Sequence, residues 1–220
     1  METYRTEEEQ LAALKSWWKK NGTSVVVGIA LSVAAVFGWQ SWKENQRIAG
    51  EQASELYFTL VEAVTLNDSA QASTVKHLVE QLQTDHESRI YAQYAALLAA
   101  KQALLSDDLE LAEQQLSWAL EKVEKGSSLN KIVLLRLARV IAAKGGEDNL
   151  IRALAVIENI DGGTHTASFE EVRGDLYWAL GREDDARNAY QVASDALKNN
   201  SESRLFLDMK LHDLTAAEGS

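Results

Sequence analysis

Cysteine and proline are both absent from the 220 residues. Without cysteine there is no disulfide and no thiolate metal site, so any folded domain must stand on its hydrophobic core. With no proline, the breaks between segments fall on glycine and short polar runs. Positive charge is scarce beyond Lys43, where 29 acidic side chains face 17 basic ones for a net charge of −12. A domain of that charge repels phosphate backbones, which argues against a nucleic-acid partner. Catalytic signatures are missing as well. The histidines His77, His86, His165 and His212 sit in separate segments, without the spacing that puts two ligands on one helix face. No phosphate-binding glycine loop and no nucleophile elbow occurs. The expectation is a chain that is not an enzyme, with no cofactor, no metal and no small-molecule substrate.

Charge is also absent from one long stretch, and there the sequence becomes informative. The 22 positions between Lys20 and Lys43 carry no ionisable side chain. As a helix they reach about 33 Å, roughly the thickness of a hydrocarbon core. Val25, Val26, Val27, Ile29, Leu31, Val33, Val36 and Phe37 supply the apolar surface. Trp17 and Trp18 precede the run, and Trp39 and Trp42 close it, as interfacial belts do. The glutamates ahead of it and the bulky Phe37 and Trp39 at its end argue for a retained anchor rather than a cleaved signal peptide. Arg5, Lys15, Lys19 and Lys20 lie before the run, against Lys43 and Arg47 after it. That bias places the N-terminus in the cytoplasm and the remainder outside it. Small residues recur at every fourth position, with Ala30, Ala34 and Gly38 on one stripe and Ser24, Gly28 and Ser32 on another. Such stripes let a second membrane helix approach closely.

Three regions follow: 1–22, a cytoplasmic amphipathic segment; 23–42, the transmembrane helix; and 43–220, an outer domain. In the first, Thr6 and Glu9 have capping-box spacing, Leu11, Leu14, Trp17 and Trp18 share a face, and Asn21-Gly22 reads as a helix stop.

Beyond Trp42 apolar residues recur at helical spacing, giving about nine helices separated by short polar breaks. The helices pair. In the last complete pair Gly174, Tyr177, Gly181, Ala186, Tyr190 and Ala193 follow the tetratricopeptide pattern. That pattern needs a small residue at the helix crossing, a packing aromatic, a turn glycine and small residues on the second helix. Ala100, Ala103, Leu109, Ala112, Leu116 and Ala119 keep the spacing, with Asp107 at the turn glycine's place. Ala138, Ile141, Gly145, Ala153 and Ile157 fit if the turn carries about three extra residues. Leu56 to Leu82 read as a degenerate first pair. The fold class is all-α, an anchor followed by a tetratricopeptide-like α-solenoid.

In stacked pairs the first helices line the concave face. Positions three before, one after and four after the crossings at Ala100, Ala138 and Gly174 select Leu97, Lys101, Leu104, Leu135, Arg139, Ala142, Glu171, Asp175 and Trp178. Of these, Leu97, Lys101, Leu104, Leu135, Arg139, Asp175 and Trp178 are the expected protein-binding surface.

The whole chain resembles a known family. The residues that carry the likeness are Glu9, Gln10, Leu14, Lys15, Trp17, Trp18, Asn21 and Gly22, then Gly28, Gly38, Trp39 and Trp42 in the span. Ala53-Ser54-x-x-Tyr57, the run Leu135 to Val140 and Arg173-Gly174-Asp175 continue it. Together they resemble the YfgM-type ancillary subunits of the SecYEG translocon of Gram-negative inner membranes. The resemblance implies an inner-membrane protein with a periplasmic repeat domain. It implies association with SecYEG and the periplasmic chaperone PpiD, and a part in passing exported client proteins to periplasmic chaperones. The alternative on the same architecture is a membrane-tethered scaffold for envelope assembly or stress signalling.

Overall fold

One helix, α1, runs without interruption from Glu7 to Thr65. The computed structural model describes residues 7–66, 72–197 and 201–217. Asn21-Gly22 therefore does not stop the helix. The Asn21 side-chain amide donates to the Trp17 carbonyl at 3.1 Å, within its own helix. Gly22 keeps helical geometry beneath the ring of Trp18. Thr6, the first half of the expected capping box, lies outside the described residues.

Two compact units divide at Gln52 and Ala53. In the first, α1 carries its apolar residues outward: Val26, Ile29, Leu31, Val36, Phe37 and Trp39 are all exposed. Among the described residues α1 is the one helix long and apolar enough to cross a membrane. A soluble core helix would bury that surface, because each buried apolar side chain is worth about 1.5–3 kcal/mol.

The second unit is wholly helical among its described residues. After the end of α1 come α2 (Ala72–Asp85), α3 (Ile90–Leu105), α4 (Leu109–Lys122), α5 (Ser128–Ala143) and α6 (Glu147–Ile157). A short 3₁₀ turn (Gly163–His165) leads into α7 (Thr166–Ala179), α8 (Glu183–Ala196) and α9 (Ser201–Ala217). The first of the nine expected helices is thus continuous with the apolar stretch of α1. Two of the expected breaks, Asn67-Asp68-Ser69 and Lys198-Asn199-Asn200, fall outside the described residues.

Neighbouring helices pack in sequence, most extensively α3 with α4, α5 with α6, and α7 with α8. Among the described residues three apolar clusters hold the stack. Ala53 and Leu60 of α1 join α2 and α3, where Tyr57 meets Tyr91 and Tyr94 at ring-centroid distances of 5.7 and 6.1 Å. The largest cluster, with Leu116, Val133, Ile157 and Phe169, runs from α3 to α7. A third joins Ala186, Tyr190 and Ala193 of α8 to Leu207 and Leu214 of α9.

The turns inside the pairs explain the spacing. Asp107, Gly145 and Gly181 adopt left-handed backbone, with φ of 58, 75 and 72°. Aspartate is among the few residues with a side chain that tolerate this region, which is why Asp107 substitutes for the turn glycine. The amides of Asp108 and Arg182 bond back to the carbonyls of Ala103 and Tyr177, each at 2.8 Å, closing the ends of α3 and α7. Asp108 then caps α4, its carboxylate accepting from the Leu111 amide at 3.0 Å. Glu183, Asp184 and Asp185 form the first turn of α8, where carboxylates meet the positive end of the helix dipole.

The middle turn differs from expectation. No extra residues are inserted: α6 starts two residues after Gly145, as α4 and α8 start after Asp107 and Gly181. What changes is a second positive φ, 79° at Gly146, which redirects the chain entering α6. Ala153, one helical turn later than the pattern expects, becomes the fully buried small residue.

Candidate functional site

The repeat geometry places Ala100, Ala138 and Gly174 at the crossings, and all three are buried. Around the first two, α3 and α5 enclose an apolar hollow of about 310 Å³. Leu97, Ala100, Lys101 and Leu104 line it from α3, and Leu116 of α4 contributes to it. Arg136, Arg139, Val140 and Ala143 line it from α5. Leu104 is 43% exposed and Lys101, Arg136 and Arg139 are exposed, so cations stand around an apolar interior.

Of the seven residues expected on a binding surface, Leu97, Lys101, Leu104 and Arg139 converge here. The others do not. Leu135 is 5% exposed and packed in the largest core cluster, because α5 is enclosed by α4, α6 and α7. Trp178 is exposed on α7 and does not line the hollow. Asp175 has its carboxylate engaged within the fold. Its Oδ1 accepts from the Tyr190 hydroxyl at 2.7 Å and from the Lys210 ammonium at 2.7 Å. Arg136, Val140 and Ala143 were not singled out by applying one set of offsets to every repeat. The signal was the stripe 136, 139, 140, 143, whose i, i+3, i+4, i+7 spacing is one helix face.

The α7–α9 side is electrostatically closed. Lys210 also reaches Glu171 at 2.9 Å and lies 5.4 Å from the centre of the Tyr190 ring. Burial pushes the Tyr190 phenol far above its usual range, and the Asp175 carboxylate adds to the shift. Burial alone would lower Lys210, but the carboxylates of Asp175 and Glu171 outweigh it and hold the ammonium above its ordinary value.

Two further networks tie neighbouring helices together. Glu113 of α4 binds Lys144 at 2.6 Å and Arg152 at 2.6 Å, tying α4 to the end of α5 and to α6. The Lys144 hydrogen bond, with help from Arg152, keeps Glu113 below the usual carboxylate range. Arg173 bonds to Glu170, and donates to the carbonyls of Ile157 and Ile160 at 2.6 and 3.0 Å. A cation thereby satisfies open carbonyls at and just beyond the end of α6. No group of three histidine or acidic residues placed to hold a metal occurs among the described residues.

On α1 the two small-residue stripes are exposed. A Cβ built on Gly28 or Gly38 would meet nothing, and the Ser32 hydroxyl donates to the Gly28 carbonyl at 2.8 Å. The polar side chain is satisfied within its own helix.

The tetratricopeptide repeat-like domain family matches residues 15–216. An ancillary SecYEG translocon subunit of Haemophilus influenzae is 31% identical over 208 residues, covering 94% of this chain and 97% of that protein. The ancillary SecYEG translocon subunit of Escherichia coli is 31% identical over 219 residues, covering 98% of this chain and 100% of its own. A Neisseria gonorrhoeae protein of the same description is 24% identical over 214 residues, covering 97% and 100%. None of these descriptions names an enzyme. No solved structure matches the chain. With likeness extending from the apolar helix through the last repeat, the chain belongs to the family of YfgM-type ancillary SecYEG translocon subunits, built on a tetratricopeptide repeat-like domain.

Proposed function

We propose that this protein is an inner-membrane accessory of the SecYEG translocon that passes emerging exported proteins to periplasmic chaperones, PpiD among its partners. The observation that carries the reading is similarity over nearly the full length to ancillary SecYEG translocon subunits. In this reading residues 23–42 of α1 stay in the membrane, residues 1–22 face the cytoplasm, and residues 43–220 lie in the periplasm. The four basic residues ahead of the span against two behind it support that orientation. The stripes of Ala30, Ala34 and Gly38, and of Ser24, Gly28 and Ser32, serve as the contact face for another membrane helix. The hollow between α3 and α5 serves as a docking site for a protein segment.

Affinity recovery of the full chain from cross-linked membranes tests the reading. It predicts SecYEG components and PpiD among the recovered proteins. Recovery of cell-wall or signalling proteins with no translocon component would overturn it.

A further inference from the structure

Many cations of the repeat domain are already spent inside it. Lys122, Lys144, Arg152, Arg173, Arg182 and Lys210 each hold a carboxylate at or within 2.9 Å. Lys101, Arg136 and Arg139 form no ion pair among the described residues; Lys125 and Lys131 form none either, but they do not line the hollow. All three stand around the same apolar hollow, in a part of the chain whose net charge is −12. Three cations gathered at one site of an acidic domain, without a carboxylate partner among the described residues, leave a local positive field there. Solvent screening confines that field to about 8 Å, so it is felt by a group docked in the hollow.

We propose that the hollow receives an acidic amphipathic segment of a partner protein, with an apolar side chain inside it and carboxylates against Lys101, Arg136 and Arg139. The proposal rests on the reading of the domain as a protein-binding module and specifies what it selects. The apolar lining from Leu97, Leu104, Leu116 and Val140 needs an apolar anchor, since a purely charged ligand would leave it wet. Extended polyanions are disfavoured, because the phosphates beyond the hollow would face the acidic remainder of the domain. Basic segments are rejected at the rim by like charge.

The test uses the full chain in lipid nanodiscs and two labelled synthetic peptides of about 16 residues, long enough to form a helix on binding. Both carry leucine at i, i+3, i+4 and i+7; the other positions are mainly glutamate in one and lysine in the other. Fluorescence anisotropy should show the glutamate peptide binding about tenfold tighter or more, with the difference shrinking at high salt. The triple variant Lys101→Glu, Arg136→Glu, Arg139→Glu changes exposed side chains, and circular dichroism checks its fold. It should reverse the preference, so that the lysine peptide gains what the glutamate peptide loses. Equal binding of the two peptides, or a preference untouched by the reversal, would overturn the proposal. Cross-linking from position 104 into a second copy of this chain would also overturn it, assigning the hollow to self-association. The two readings fail separately: peptide selectivity without SecYEG recovery removes the translocon reading, and SecYEG recovery without selectivity removes this one.

Discussion

The ring of Tyr190 occupies the space that a side chain at position 174 would fill. A Cβ built on Gly174 would stand 2.5 Å from Cδ1 of Tyr190, closer than real Cβ atoms come to anything. The tyrosine is 3% exposed, and its hydroxyl is fixed by Asp175 of the same helix as the glycine. The ring therefore has no free direction in which to yield. This one contact joins the most extensively packed pair, α7 and α8.

Gly174→Leu should destabilise the domain by about 1–3 kcal/mol or more, the usual range for overpacking a core. Gly174→Ala should also lower the melting temperature, although alanine favours a helix over glycine by about 1 kcal/mol. Shortening the partner, with Gly174→Ala and Tyr190→Leu together, should recover part of the clash. Glu183→Gln, at the exposed start of α8, should shift stability by no more than about 0.5 kcal/mol. Thermal unfolding followed by circular dichroism reads all four. Unmoved melting temperatures for both Gly174 variants would contradict the crossing geometry.

In alkali the Tyr190 cluster should fail in a defined order. A group whose folded pKa is raised contributes stability that is present below its unfolded pKa and lost as pH rises towards the folded value. Tyr190 and Lys210 are both raised, so stability should fall above about pH 10, where the unfolded groups begin to ionise. Absorbance of tyrosinate should show one phenol ionising after the others and together with unfolding. Asp175→Asn should bring that ionisation to lower pH.

In acid the sign is opposite. Glu113 is lowered by Lys144 and Arg152, so its contribution is complete above the ordinary carboxylate range and disappears as pH falls through its folded value. Urea unfolding at successive pH values below about 5 should show this loss. Glu113→Gln should be less stable at neutral pH and show a shallower acid dependence. An unchanged acid limb would mean that the link from α4 to Lys144 and Arg152 carries no stability.

Much of this architecture was legible in the sequence because it is periodic. Gly174, Gly181 and Tyr190 each satisfy a local requirement, and their spacing follows from the lengths of two packed helices. Asp107 could be aligned with the turn glycines because few side chains tolerate left-handed backbone. The failures come from geometry that spacing does not encode. Asn21-Gly22 carries the composition of a helix end, yet the helix runs through it with the Asn21 side chain bonded back to the Trp17 carbonyl. Gly145-Gly146 looked like an insertion, whereas a second positive φ changes direction without adding residues. The hollow was half visible. Identical offsets found Leu97, Lys101, Leu104 and Arg139 but missed Arg136, since the two helices face each other with different flanks.

Topology is tested with a reporter active only outside the cytoplasm. Fused after Ser220 it should be active, and at the N-terminus silent. A mature chain beginning beyond Trp39 would show instead that the apolar segment is removed.

The account stands most directly on what lies against the span and the hollow in a native membrane. A photo-crosslinking amino acid at Ala34 or Gly38, and separately at Leu104, would report both in the full-length chain. The account predicts adducts with SecYEG or its membrane-bound partners from the span, and with PpiD or exported clients from Leu104. Adducts at all three positions confined to cell-wall or signalling proteins would contradict it.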